Sequence, residues 1–210
     1  MTEQKTTVSE HLIELRSRLI KSIIFLFLTF IICYIFSEKI YNFLVDPYAQ
    51  AVKDDGNNRR LIFTALHETF LTYLKLAFFS AFFFSCPLIL IQIWKFIAPG
   101  LYKDEKLALF PFLVATPILF LLGGMLVYYL IMPIAIKFFL SFESVSVNGS
   151  LPIQLEAKVN EYLSLVMRLI LAFGISFQLP VFLTLLAKVG FITSEYLKTR
   201  RKYVVIIIFS

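Results

Sequence analysis

The run LAFFSAFFFSCPLILIQIW, Leu76 to Trp94, contains nineteen consecutive residues without a charge. At about 1.5 Å of rise per helical residue it covers about 28 Å, close to the hydrocarbon thickness of a bilayer. Leu107 to Ile136 and Leu169 to Ala187 are equally free of charge. Ser22 to Ser37 is shorter, but Leu19 and Ile20 extend it, and Lys21 can snorkel to the interface. Only helices and closed barrels satisfy their backbone in lipid, and these runs lack the alternation of a barrel strand. The sequence therefore predicts an all-α fold, a polytopic transmembrane helical bundle formed as a single integral membrane domain over residues 1–210.

Composition agrees. A chain of 210 residues that is 59% hydrophobic, with mean hydropathy +0.82, could not cover its apolar surface in water, whereas lipid faces such side chains directly. The net charge of +6 could indicate nucleic acid in a soluble domain, but here the basic residues flank the spans. The positive-inside rule accounts for them and places the N-terminus in the cytoplasm. Lys75 and Arg168, near the outer ends of their spans, run against that bias. Cys33 and Cys86 lie inside apolar runs at depths too different for a disulfide and read as packing residues. The polar, charged opening of the chain argues against a cleavable signal peptide.

Thr7 to Ile20 reads as an amphipathic helix leading into the first span, with a capping box from Thr7 to Glu10. Leu12, Leu15 and Leu19 share one face; His11, Glu14, Arg18 and Lys21 share another. Ser37 to Glu68 has a loop composition, with Asp46-Pro47 as a turn and short surface helices around Tyr41 to Val45 and Leu61 to Leu66. The second span, Phe70 to Ile97, is expected to bend near Pro87, and the third near Pro111, Pro117 and Pro133. Lys103 to Lys106 forms a tight charged connection between them, and Phe142 to Asn160 a second long loop. The fourth span covers Leu163 to Ala187. A further apolar run, Tyr203 to Ser210, is too short to cross and reads as the start of a fifth span in a longer protein.

Three segments carry a resemblance: His11-Leu12-Ile13-Glu14-Leu15-Arg16-Ser17-Arg18-Leu19 before the first span, Gln92 to Lys106 closing the second, and Phe173-Gly174-Ile175-Ser176-Phe177-Gln178-Leu179-Pro180-Val181 in the fourth. In this order and spacing the chain resembles the TatC family, the multi-span receptor of the twin-arginine protein translocase. The resemblance implies six spans with both termini cytoplasmic, in the cell inner membrane. It also implies a receptor that binds Arg-Arg signal peptides and mediates proton-gradient-driven export of folded proteins. The implied partners are those signal peptides, single-span TatA- and TatB-type subunits, membrane lipid and further copies of the chain.

The resemblance assigns signal-peptide binding to Glu14 and Glu105, with Arg16 and Phe96 beside them, and a structural or functional role to Pro47 in the first outer loop. Carboxylates suit that task, because they accept the planar fork of a guanidinium in a bidentate manner that Lys imitates poorly. From the residues alone, Glu14 could simply brace Arg18 at i,i+4, and Glu105 could be a solvated turn charge. Gln178 is the polar residue deepest in an apolar span. It either offers a hydrogen bond to a partner helix or is satisfied locally, by its own helix or by Thr184.

A secondary transporter of a small solute is the alternative function, but it would need coupling charges within the spans, and none lies mid-span. Neither His11 nor His67 falls in a span, so an intramembrane Ser-His hydrolase lacks its parts. No metal-ligand cluster, glycine-rich phosphate loop or cofactor motif is present in the sequence. The expected protein is a non-enzymatic translocase subunit.

Overall fold

The computed structural model describes residues 8–53, 60–97, 103–143 and 155–188. The expected loop features at Asp54 to Asn58, Ala98 to Gly100 and Asn148 to Ser150 lie outside them, as do the basic cluster Lys198 to Lys202 and the run Tyr203 to Ser210.

Helix α1 (Val8–Ile35) runs unbroken from the polar N-terminal segment through the first span. α2 (Ser37–Lys53) follows after one turn residue, then α3 (Leu66–Ile97) and α4 (Lys103–Leu126). A π-helical turn (Val127–Ile131) joins α4 to α5 (Met132–Leu140), and α6 (Val159–Ser176) is succeeded by α7 (Leu179–Lys188). Four stretches are long and apolar enough to cross a membrane: Ile13–Ile35, Leu66–Ile93, Pro111–Leu140 and Val159–Thr184. They fall on the four runs read from the sequence.

α1 packs against α3 and touches little else. Arg18 bonds Gln92 near one end of this antiparallel pair, and Cys33 packs with Ala77 near the other, an in-register crossing. Ala77, Ala81 and Ser85, four residues apart, are all fully buried. Small side chains at that spacing let two helices approach closely where no hydrophobic drive exists in lipid. α1 turns the narrow stripe Glu14, Arg18, Ser22, Leu26, Phe30 and Cys33 toward this seam, while Leu15, Leu19 and Ile23 are exposed. This reverses the water-soluble arrangement, as lipid requires. Cys33 sits level with Ala77, nine residues and so about 13 Å from Cys86 along α3; both cysteines are free and buried.

A second seam joins α4 to α6. A Cβ on Gly123 would stand 2.8 Å from the Phe173 carbonyl oxygen and 2.9 Å from Gly174 Cα, so the two backbones are in direct contact. Phe120, fully buried, lies over Gly174, and its ring stacks at a tilt on Phe83, 5.0 Å between centroids.

Three sequence expectations need correction: the loop that is α2, the short helix at Leu61 to Leu66, of which residues 61–65 are not helical, and the single fourth span; the expected bend near Pro133 is present as a π turn. The stretch after the first span is not a loop with a turn at Asp46-Pro47: it is a 17-residue helix, α2, with Pro47 inside it and buried. Its apolar face of Leu44, Tyr48, Ala51 and Val52 packs into the main core with Tyr162, Leu163 and Val166 of α6, and that packing outweighs the local cost of proline. The third span departs from α geometry at the π turn ahead of Pro133, where a widened turn accommodates the missing N–H. The fourth run is two helices, broken at Phe177–Gln178, with Pro180 in the first turn of α7, where proline is favoured.

Beyond the spans, on the α2 side, the two long connections are joined. Ile62 N–H donates to Ala157 O (3.2 Å), and Val159 N–H donates to Ile62 O (3.1 Å). Glu68 caps α3, accepting the N–H groups of Thr64 (2.7 Å) and Ala65 (3.2 Å), while Glu143 accepts Leu155 N–H at 2.8 Å.

Candidate functional site

At the end of the bundle that carries the N-terminus, the α1–α3 register brings the conspicuous residues of two segments to one level. Arg18 donates through Nε (3.0 Å) and Nη2 (2.6 Å) to Glu14 Oε1, and through Nη1 (3.1 Å) to Gln92 Oε1 on α3. Glu14 and Arg18 retain 35% and 24% of their side-chain exposure, so the group lies in a half-shielded groove where charge-assisted bonds are stronger than on open surface. One helical turn past Gln92 stands Phe96, in the last turn of α3 and level with Glu14. Glu105 is in the first turn of α4. The side chains of Phe96 and Glu105 are outside the described portion. Arg16 is exposed.

The i,i+4 bracing of Glu14 by Arg18, read from spacing, is present. Gln92 opens the second of the three segments that carry the resemblance, but its tie to Arg18 spans 74 positions and cannot be counted off from spacing.

Pro47 is elsewhere, on the opposite side of the membrane-spanning region. Lacking an N–H, it deprives the carbonyl of Phe43, four residues back, of its helical donor. The hydroxyl of Tyr128, in the π turn, donates to that carbonyl at 2.8 Å. The next carbonyl, Leu44 O, accepts the hydroxyl of Tyr162 on α6 at 3.0 Å, a buried bond. Phe43 and Tyr128 also stack, 4.4 Å between ring centroids and 2° from parallel. Proline, two tyrosines and three elements thus form one brace. Neither tyrosine stood out in the sequence, since a Tyr in an apolar run reads as packing.

Gln178 sits in the break between α6 and α7, half-buried. Its Nε2 donates to the carbonyl of Thr116 on α4 at 2.8 Å. The expected local partners, its own helix or Thr184, are not the ones used: Thr184 Oγ1 instead donates to Pro180 O. The break turns the side chain away from the α6 axis and across to the third span.

The family described as Sec-independent protein translocase protein (TatC) matches residues 10–210. The chain belongs to the TatC family. It is 46% identical over 207 residues to the Sec-independent protein translocase protein TatC of Magnetococcus marinus, covering 99% of this chain and 73% of that one. Against TatC of Escherichia coli K12 the identity is 36% over 196 residues, 93% of this chain and 72% of that one. The crystal structure of the twin-arginine translocase receptor TatC in DDM superposes with a TM-score of 0.80 at 36% identity, covering 95% of this chain and 85% of that chain. The chain is accordingly a multi-pass membrane protein and a component of a protein translocase. Pro47, Glu14, Glu105 and Gln178 all fall within the matched stretch.

Proposed function

We propose that this TatC-family chain is the receptor subunit of a twin-arginine translocase in the cell inner membrane, binding Arg-Arg signal peptides at its cytoplasmic face for proton-gradient-driven export of folded proteins. The observation that carries the reading is the half-shielded Glu14–Arg18–Gln92 group, held level with Phe96 and one short connection from Glu105. Such a groove offers carboxylates in a setting where a guanidinium fork is worth more than on open surface, and a carboxylate has room for about four hydrogen bonds. Arg18, tied to both Glu14 and Gln92, holds the Glu14 carboxylate in place while an incoming arginine is bound. Arg16 is exposed on the face of α1 away from the groove, and its part in signal binding rests on the family resemblance alone.

Each of Glu14→Ala and Glu105→Ala is expected to weaken signal-peptide cross-linking by roughly ten- to a hundredfold, the value of one charge-assisted bond pair. Both variants should still insert. Unchanged cross-linking in both would return these residues to the role of solvated surface charges.

For Gln178 the supporting observation is its bond across to Thr116 at a helix break. The amide nitrogen is committed to α4, and the amide oxygen is the atom that would receive a donor from the polar residue of a single-span TatA- or TatB-type helix. Gln178→Leu is expected to reduce partner cross-linking several-fold, in line with membrane hydrogen bonds of roughly 0.6–2 kcal/mol, while sparing signal binding. Gln178→Glu keeps an acceptor and, when protonated at this depth, also the donor to Thr116 O, so it should be tolerated in its protonated form. Normal partner cross-linking in Gln178→Leu would leave the side chain only its structural bond to Thr116.

A further inference from the structure

Where α5 and α6 diverge beyond the π turn they leave a cleft of about 820 Å³, walled at the back by Tyr48 and roofed by residues 155–158. Its depth in the membrane is fixed by charge. The uncharged stretches end at Lys75 on α3, Lys137 on α5 and Arg168 on α6, so these three residues mark one boundary between hydrocarbon and headgroups. The cleft straddles that boundary. On its hydrocarbon side the lining is apolar: Met132, Ala135, Ile136 and Phe139 of α5, and Leu165 of α6. On its water side it is lined by three cations, Lys75, Lys158 and Arg168, and two carboxylates, Glu156 and Glu161.

Among the described residues none of these three cations makes an ion pair; Lys75 Nζ instead donates to Asn160 Oδ1 at 3.1 Å. All five charged side chains are exposed, so they stand open at the headgroup level, beside an apolar slot, to a ligand that carries charges of its own. A soluble ion would satisfy the rim and leave the apolar half empty. A plain hydrocarbon would do the reverse. One molecule that carries an acyl chain, a phosphate and an amine satisfies all three, in the order of depth in which the lining presents them.

We propose that the cleft between α5 and α6 is a binding site for an aminophospholipid of the leaflet on the α2 side, with its phosphate between Lys75 and Arg168, its ammonium toward Glu161 and an acyl chain along Ala135, Phe139 and Leu165. The lipid bridges the outer faces of α5 and α6 at the headgroup level, on the open side of the core that they share.

The test uses the full-length protein reconstituted in nanodiscs of mixed phosphatidylethanolamine and phosphatidylglycerol, delipidated stepwise and read by native mass spectrometry. The unsubstituted protein should retain one phosphatidylethanolamine per chain. Lys75→Gln combined with Arg168→Gln should lower that retention by roughly tenfold or more, as expected for lost charge-assisted bonds. Lys39→Gln, at a span end outside this cleft, should leave it unchanged. Ala135→Trp, which fills the apolar half without altering a charge, should also expel the lipid, so the result does not hang on the double variant folding. Glu161→Gln should shift retention toward phosphatidylglycerol. Equal retention of both lipids by the unsubstituted protein would overturn the amine contact, and retention indifferent to Lys75, Arg168 and Ala135 would overturn the site. Displacement of the lipid by millimolar inorganic phosphate would make it a site for free anions and overturn the lipid assignment.

Discussion

Gly123→Leu should leave little folded protein: the variant is expected to lose about 3 kcal/mol or more of stability and to elute from detergent as aggregate. The reason lies in what a side chain would strike. Ordinary overpacking of a core costs about 1–3 kcal/mol because neighbouring side chains can shift rotamer. At Gly123 the obstacles are the Phe173 carbonyl oxygen and Gly174 Cα, 2.8 and 2.9 Å from a built Cβ, and backbone can yield only by separating α4 from α6. In lipid that separation forfeits the dispersion contacts that hold the pair, with no hydrophobic gain to offset it. Gly124 supplies the control. A Cβ there meets the tip of the Phe83 ring at 2.9 Å, which can swing aside, so Gly124→Ala should cost clearly less than Gly123→Ala. Thermal unfolding in detergent, followed by intrinsic fluorescence, distinguishes the two. Equal and small losses would mean that the α4–α6 seam is looser than its geometry indicates.

The second large effect is expected at the α2 brace. Removing both hydroxyls, Tyr128→Phe with Tyr162→Phe, leaves the carbonyls of Phe43 and Leu44 without their tyrosine donors. Leu44 O keeps the helical N–H of Tyr48, so the lost Tyr162 bond should cost about 1 kcal/mol, and the exposed Phe43 carbonyl, which Pro47 leaves without a helical donor, a smaller amount. Coupling with Pro47 makes the test specific. Pro47→Ala restores an N–H to the Phe43 carbonyl, so Tyr128→Phe should cost less in that background than alone. A double-mutant cycle on protease resistance of α2 reads this directly. Strict additivity would show that Tyr128 holds α2 only by stacking on Phe43.

The spans were legible because lipid imposes a severe rule on them: charge must stop where hydrocarbon starts, and Lys75, Lys137 and Arg168 obey it. α2 was not legible, because Pro47 and the Asp-Asp-Gly run after Lys53 are strong local signals for a loop. What makes α2 a helix is its distant partners, Tyr128 and Tyr162, and no local reading reaches 85 or 118 positions away. The break after Ser176 was half visible in Pro180, yet its consequence, the reach of Gln178 to Thr116, depends on how α4 lies beside it. In the candidate site the Glu14–Arg18 bond could be counted off at four residues, whereas the tie to Gln92 became visible only once α1 and α3 were placed in register.

The clip between Ile62 and residues 157–159 has a bearing on how the protein is made. Its two halves emerge from the ribosome nearly a hundred residues apart, with α3, α4 and α5 synthesised between them. Until then the N–H and carbonyl of Ile62 lack the partners they meet in the finished fold. Closure of the clip therefore reports that the fourth crossing has gone in with the right polarity.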